Sequence, residues 1–70
     1  MIIKLTCVDL EKPYDIHINS DNILYFYESN LKYYNKQPCT FIRFQNERSI
    51  YVKESVDEIY TMIRKGKKNG

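Results

Sequence analysis

Long apolar runs, paired cysteines and grouped metal-ligating side chains are all missing from these 70 residues. No stretch approaches the ~20 apolar residues that a membrane-crossing helix needs. The N-terminus lacks an apolar segment followed by a small-residue cleavage site, so the expected location is cytoplasmic. Cysteine occurs only twice, as Cys7 and Cys39; a secreted domain this small would usually carry four or more as paired staples. Both are expected to be buried thiols on strands, packing like small hydrophobes. Histidine occurs once, as His17 beside Asp15 on the polar side of a strand. A metal centre needs three or four ligands, and a Cys–His nucleophile needs the two groups within hydrogen-bond reach. Neither spacing is present, and no paired acid, base or nucleophile appears. The chain is therefore expected to be non-enzymatic, with no metal and no cofactor.

Charge of one sign is also lacking. The formal net charge is +2, but the tail Arg64, Lys65, Lys67 and Lys68 supplies four of the eleven basic residues. The body then holds seven basic and nine acidic residues, a net of −2. That is no phosphate-binding surface of the usual strongly basic kind. Internal repeats and low-complexity tracts are absent. Seventy residues is one domain, expected to span 1–65 with a flexible basic tail at 66–70, and a chain this short buries only about 60% of its unfolded surface. Aromatic residues are plentiful, with seven tyrosines and three phenylalanines, which marks an ordered chain.

The most informative stretch is 40–63. Residues 40–45 and 49–53 are β-branched and aromatic runs separated by Asn46, Glu47 and Arg48, a hairpin pattern. Ile42, Phe44, Ile50 and Val52 form the inward set, leaving Arg43, Gln45, Tyr51 and Lys53 outward. Opposed residue numbers must then sum to an even value, such as 42 with 52. A two-residue loop at Asn46 and Glu47 gives an odd sum and turns half the apolar set outward. The sequence thus predicts a three-residue loop or a bulge, with Asn46 as the residue best suited to a left-handed conformation. Ser55 followed by Glu58 is a capping box, opening a helix over about 56–65. Its buried stripe is expected to be Val56, Ile59, Tyr60 and Ile63, and Gly66 is its natural stop. Acids begin this helix and bases end it, as the dipole favours.

Upstream, residues 2–8 alternate with Ile3, Leu5 and Cys7 on one side, and residues 14–18 with Tyr14, Ile16 and Ile18. Asn19, Ser20, Asp21 and Asn22 form a turn. Residues 23–28 show no clean alternation, which predicts either a central strand covered on both faces or a strand whose second face meets another subunit. Residues 29–38 are too long for a hairpin loop and are expected to be an exposed, mobile insertion.

Ile3-Lys4-Leu5-Thr6, the segment from Ile18 to Ile23, and Val52-Lys53-Glu54-Ser55-Val56 spaced from Asn46 together resemble the small FlbD/SwrD-type flagellar and swarming-motility proteins. Order and most spacings match over nearly the whole chain. The departures are Glu47 where that pattern has glycine, Ser20 where it has proline, a longer first turn without glycine, and the longer 29–38 segment. The resemblance implies a divergent member of that group, with no catalytic residues to transfer.

The expected architecture is α+β: a bent antiparallel sheet of four to five strands with one C-terminal helix packed on it. The expected role is a small FlbD-like protein-interaction module that binds another protein or itself, self-association being favoured, through Tyr25, Tyr27, Tyr33, Tyr34 and Tyr51. The alternative is a nucleic-acid-binding regulator that uses a tyrosine-bearing sheet face and the basic tail, since stacking on aromatics holds single strands. Such a body also faintly resembles LytTR-type DNA-binding domains, without their basic loops.

Overall fold

Alternating side chains produce the first two strands, as expected. The computed structural model, which describes residues 1–66, places β1 at Ile2–Cys7 and β2 at Tyr14–Asn19. They pair antiparallel with Ile3 opposite Ile18 and Leu5 opposite Ile16, so both apolar rows face one side. A 3₁₀ turn at Ser20–Asn22, with the Asn19 side chain accepting from the Asp21 N–H at 3.0 Å, leads into β3 at Ile23–Tyr34. β4 (Gln37–Phe44), β5 (Ser49–Val52) and the helix α1 (Val56–Gly66) follow. The sheet order is β2-β1-β5-β4-β3, with every pairing antiparallel.

That order explains the bend. β2 and β3 are the two edges, yet only Ser20–Asn22 joins them. Four strand spacings in a flat sheet separate the edges by roughly 19 Å. The link from Asn19 to Ile23 spans about 14 Å even if fully stretched, and a 3₁₀ turn is far shorter. The sheet must curl, and it does so without closing. The link is also tied to the β4–β5 turn, where the Gln45 N–H donates to the Asn22 carbonyl at 2.9 Å.

The core lies on the concave face: Ile3, Leu5, Ile18, Ile42, Val52 and Ile59, flanked by Phe26, Phe44, Ile50, Met62 and Ile63. Ile59 reaches it from the helix and is wholly buried, which contributes about 2–3 kcal/mol. Tyr60 does not belong to the helix's buried stripe: it is exposed, with the Arg64 guanidinium 5.6 Å from its ring centre, and Met62 takes the inward place. The reason is angular, since Ile59, Met62 and Ile63 sit at i, i+3 and i+4 on one helix face. Gly66 is the last helical residue; the rest of the expected tail, 67–70, lies outside the described residues.

Three further expectations are corrected. Residues 29–38 are no loose insertion. They continue β3 and β4 into a hairpin whose two-residue turn, Asn35 and Lys36, has φ of 51° and 66°, with Tyr34 opposite Gln37. Positive φ at both positions is the turn type that matches strand twist. Residues 23–28 are not a central strand, because β3 is an edge. Their failure to alternate has a specific cause: the register shifts between Ile23 and Tyr25, so Ile23 and Phe26 both pack towards the core despite lying three apart. In the β4–β5 turn the even register holds, with Ile42 opposite Ile50 and Thr40 opposite Val52. The left-handed residue there is Glu47, with φ of 70°, and not Asn46. Asn46 instead uses its side-chain oxygen to accept from the Arg48 N–H at 3.1 Å.

The segment joining β5 to the helix binds the most elements. The Glu54 carboxylate accepts from the Thr6 N–H at 2.8 Å and the Thr6 hydroxyl at 2.9 Å. Its carbonyl accepts from the Thr40 hydroxyl at 2.6 Å. One residue thus ties β1 and β4 to the helix start. Ser55 and Glu58 complete the capping box, exchanging bonds of 2.9 and 3.0 Å.

Two stability predictions follow from these contacts. Lys36→Gly and Glu47→Gly should each raise stability by ~0.5–1 kcal/mol, a few degrees in thermal midpoint, because both side chains occupy left-handed backbone. Asn46→Gly should lower it, as the bond to Arg48 is lost. Glu54→Ala should cost about 2 kcal/mol in urea unfolding and Glu54→Gln distinctly less, since the amide oxygen can still accept from Thr6.

Candidate functional site

Opposite the core, the convex face carries the residues that alternate with the buried ones. Tyr27 lies opposite Phe41 and Phe41 opposite Tyr51, so three neighbouring strands each contribute one aromatic ring to a single row. Ring centres are 5.2 Å apart for Tyr27 and Phe41, and 5.4 Å for Phe41 and Tyr51, the latter edge to face. Tyr25 stacks beside Tyr27 at 6.1 Å, its ring inclined by 12°. Such spacings are those of favourable aromatic pairs, each contributing about 0.5–1.5 kcal/mol beyond its buried area. Tyr25 and Tyr27 nevertheless leave about half their surface in solvent, 48% and 50%. Two basic side chains border the row: Arg43 and Lys53 occupy convex-face positions two residues along from Phe41 and Tyr51.

Of the five tyrosines expected to make contacts, the fold gathers Tyr25, Tyr27 and Tyr51. Tyr33 and Tyr34 stand apart at the far end of β3, opposite Pro38 and Gln37. Phe41 completes the row and was not among the expected residues, although it shares parity with outward Arg43 and could have been found that way. The exposed apolar set continues along β3 as Leu24, Leu31 and Tyr33, at 58%, 84% and 57% exposure.

Between Glu28 and Tyr33 the register shifts again, leaving four residues of β3 opposite Cys39 alone. Ser29 and Cys39 are both buried here, and the Ser29 hydroxyl accepts from the Leu31 N–H at 3.1 Å. Burial pushes the Cys39 thiol above its ordinary pKa, the Asp9 charge adds to this, and Lys32 partly opposes it. Cys7 and Cys39 are free thiols, and no group of three or more His, Cys, Asp or Glu side chains that could hold a metal occurs among the described residues. Tyr14 has its phenol raised, first by the neighbouring Cys7 thiol.

A second concavity opens where the curled sheet fails to close, between β2 and the β4–β5 turn. It is a cleft of about 370 Å³, with Ile16, Ile18, Phe44 and Ile50 as its apolar lining and Arg48 and Asn46 at its polar side. It depends on strand order and so leaves no local signal in the sequence.

These features define a small α+β domain with an open five-stranded sheet, an exposed aromatic row and no helix among the described residues long and apolar enough to cross a membrane. Comparison with family models, curated proteins and solved structures gives no match.

Burial and the raised thiol give a direct test of site chemistry. A thiol whose folded pKa is raised adds stability below the unfolded value, ~8.5, and that contribution is lost as pH climbs through the folded pKa. At pH 8 a thiol reagent should label neither Cys7 nor Cys39 until denaturant unfolds the chain; rapid labelling of Cys39 in the native state would contradict its burial.

Proposed function

We propose that this chain is a small, non-catalytic protein-interaction module whose partner is a second copy of itself. The observation that carries this reading is the position of β3. It is an edge strand, and Leu24, Tyr25, Tyr27, Leu31 and Tyr33 on it are each about half exposed or more. Monomeric proteins seldom expose so many large apolar side chains on one edge strand, and exposed apolar patches mark contact surfaces. The expected cytoplasmic setting accords with two free thiols.

Nucleic-acid binding is the second reading, and one feature favours it: Arg43 and Lys53 border the aromatic row. Against it stands the acidic balance of the body, which leaves few cations to follow a phosphate backbone.

Sedimentation equilibrium from micromolar to millimolar chain concentration separates the two. The expected result is a mass that rises towards a dimer, and a Tyr25→Ala/Tyr27→Ala double variant whose association is at least ~10-fold weaker. A constant monomer mass, together with oligonucleotide binding that falls steeply with salt, would reverse the assignment.

A further inference from the structure

The hydrogen-bond alternation of β4 fixes which backbone groups of β3 are free. The Phe44 N–H donates to the Arg48 carbonyl at 2.8 Å, so Phe44 points its backbone towards β5. By the two-residue period, Ile42 and Thr40 do the same, opposite Ile50 and Val52. Arg43 and Phe41 must then point the other way, towards their β3 partners Tyr25 and Tyr27. Phe26 and Glu28 are left with N–H and C=O groups directed off the edge of the sheet, where no strand lies among the described residues.

On this basis we infer that two copies join by antiparallel pairing of their β3 edges, with Tyr27 on the two-fold axis and Phe26 of each copy opposite Glu28 of the other. This deepens the self-association proposed above and rests on it. The register is chosen by elimination. Register shifts on either side confine the regular run to residues 25–28. A two-fold axis at Glu28 sets that carboxylate against itself, a like-charge pair. An axis at Phe26 requires Leu24, the bulged residue, to pair with Glu28. An axis at Tyr27 alone uses both outward residues and supplies four backbone bonds without touching a bulge. It also brings the two Tyr27 rings together at a non-hydrogen-bonded position, where opposed side chains lie closest. The aromatic rows of the two sheets then meet across the axis, Tyr51, Phe41 and Tyr27 running into their symmetry mates. Leu24, Tyr25 and Tyr27 beside the axis, half-exposed and offering roughly 100 Å² each, give about 600 Å² for the pair, the size of a weak contact that forms at high concentration.

The test uses the full chain. Opposed Cα atoms at a non-hydrogen-bonded pair stand about 4.5 Å apart, within disulfide range. Tyr27→Cys should therefore form a covalent dimer under mild oxidation at least ~10-fold faster than Tyr51→Cys, which shares the face but lies two strands from the axis. Amide exchange of Phe26 and Glu28 in the unaltered chain should slow about 10-fold or more at high concentration, while other exposed amides stay unchanged. If the chain dimerises by sedimentation but Tyr27→Cys crosslinks no faster than Tyr51→Cys and the two amides keep exchanging, the edge pairing is wrong and self-association stands. If the mass stays monomeric at all concentrations, both readings fall.

Discussion

A three-residue link between the two edges of a five-stranded sheet constrains everything else in this molecule. Because Ser20–Asn22 must bridge strands that a flat sheet would hold far apart, the sheet curls and acquires a concave and a convex side. The concave side gathers the branched aliphatic residues and is shielded over part of its length by the helix through Ile59, Met62 and Ile63. Where curling stops short of closure, the cleft between β2 and the β4–β5 turn remains. The convex side receives the alternate residues of every strand, and the helix lies against the other face. Its aromatic row is exposed because the one α-helix among the described residues packs on the opposite face.

Glu54 converts the curled sheet into a fold with a fixed helix. Val52 is wholly buried, the Lys53 N–H donates to the Thr6 carbonyl, the Glu54 carboxylate holds Thr6, and Ser55 caps the helix. Four consecutive residues thus join the core, β1 and the helix start. A carboxylate accepting two bonds from one residue is also a strong arrangement, since charge-assisted hydrogen bonds are roughly twice as strong as neutral ones.

Local rules made much of this legible. Period-two alternation located β1, β2, β5 and the 40–44 part of β4, and the Ser55–Glu58 spacing located the helix start. Parity alone required an odd loop between β4 and β5, which the pairing of Ile42 with Ile50 bears out. Propensity then misled at the next level of detail. Asn46 is the better left-handed residue, but the geometry of a three-residue loop puts that conformation at its last position, where Glu47 stands. The β3–β4 hairpin was unreadable for a related reason: its turn uses Asn35 and Lys36 without the glycine that signals such turns. Strand order, and with it the edge position of β3 and the cleft, depends on pairings between residues distant in sequence, which no window of local pattern records. Tyr25, Tyr27 and Tyr51 could be proposed together from composition, whereas the separation of Tyr33 and Tyr34 from them required knowing where the strand bulges.

The two edges of the sheet differ in a way that bears on the kind of assembly they permit. β2 is six residues long and exposes Asp15 and His17 on its convex side. β3 is twelve long and largely apolar, but two register shifts interrupt it. Bulges and charges are common means of preventing an edge from acting as an open template. Here they shorten the regular stretch of β3 without removing it. Pairing of β3 with β2 of another copy would leave one edge of each kind free and could continue without end, as head-to-tail contacts do. Pairing of β3 with itself consumes the apolar edge of both copies and leaves two short polar β2 edges outside. An exposed apolar strand in a chain this small is then compatible with a finite assembly, because the contact that covers it also ends growth.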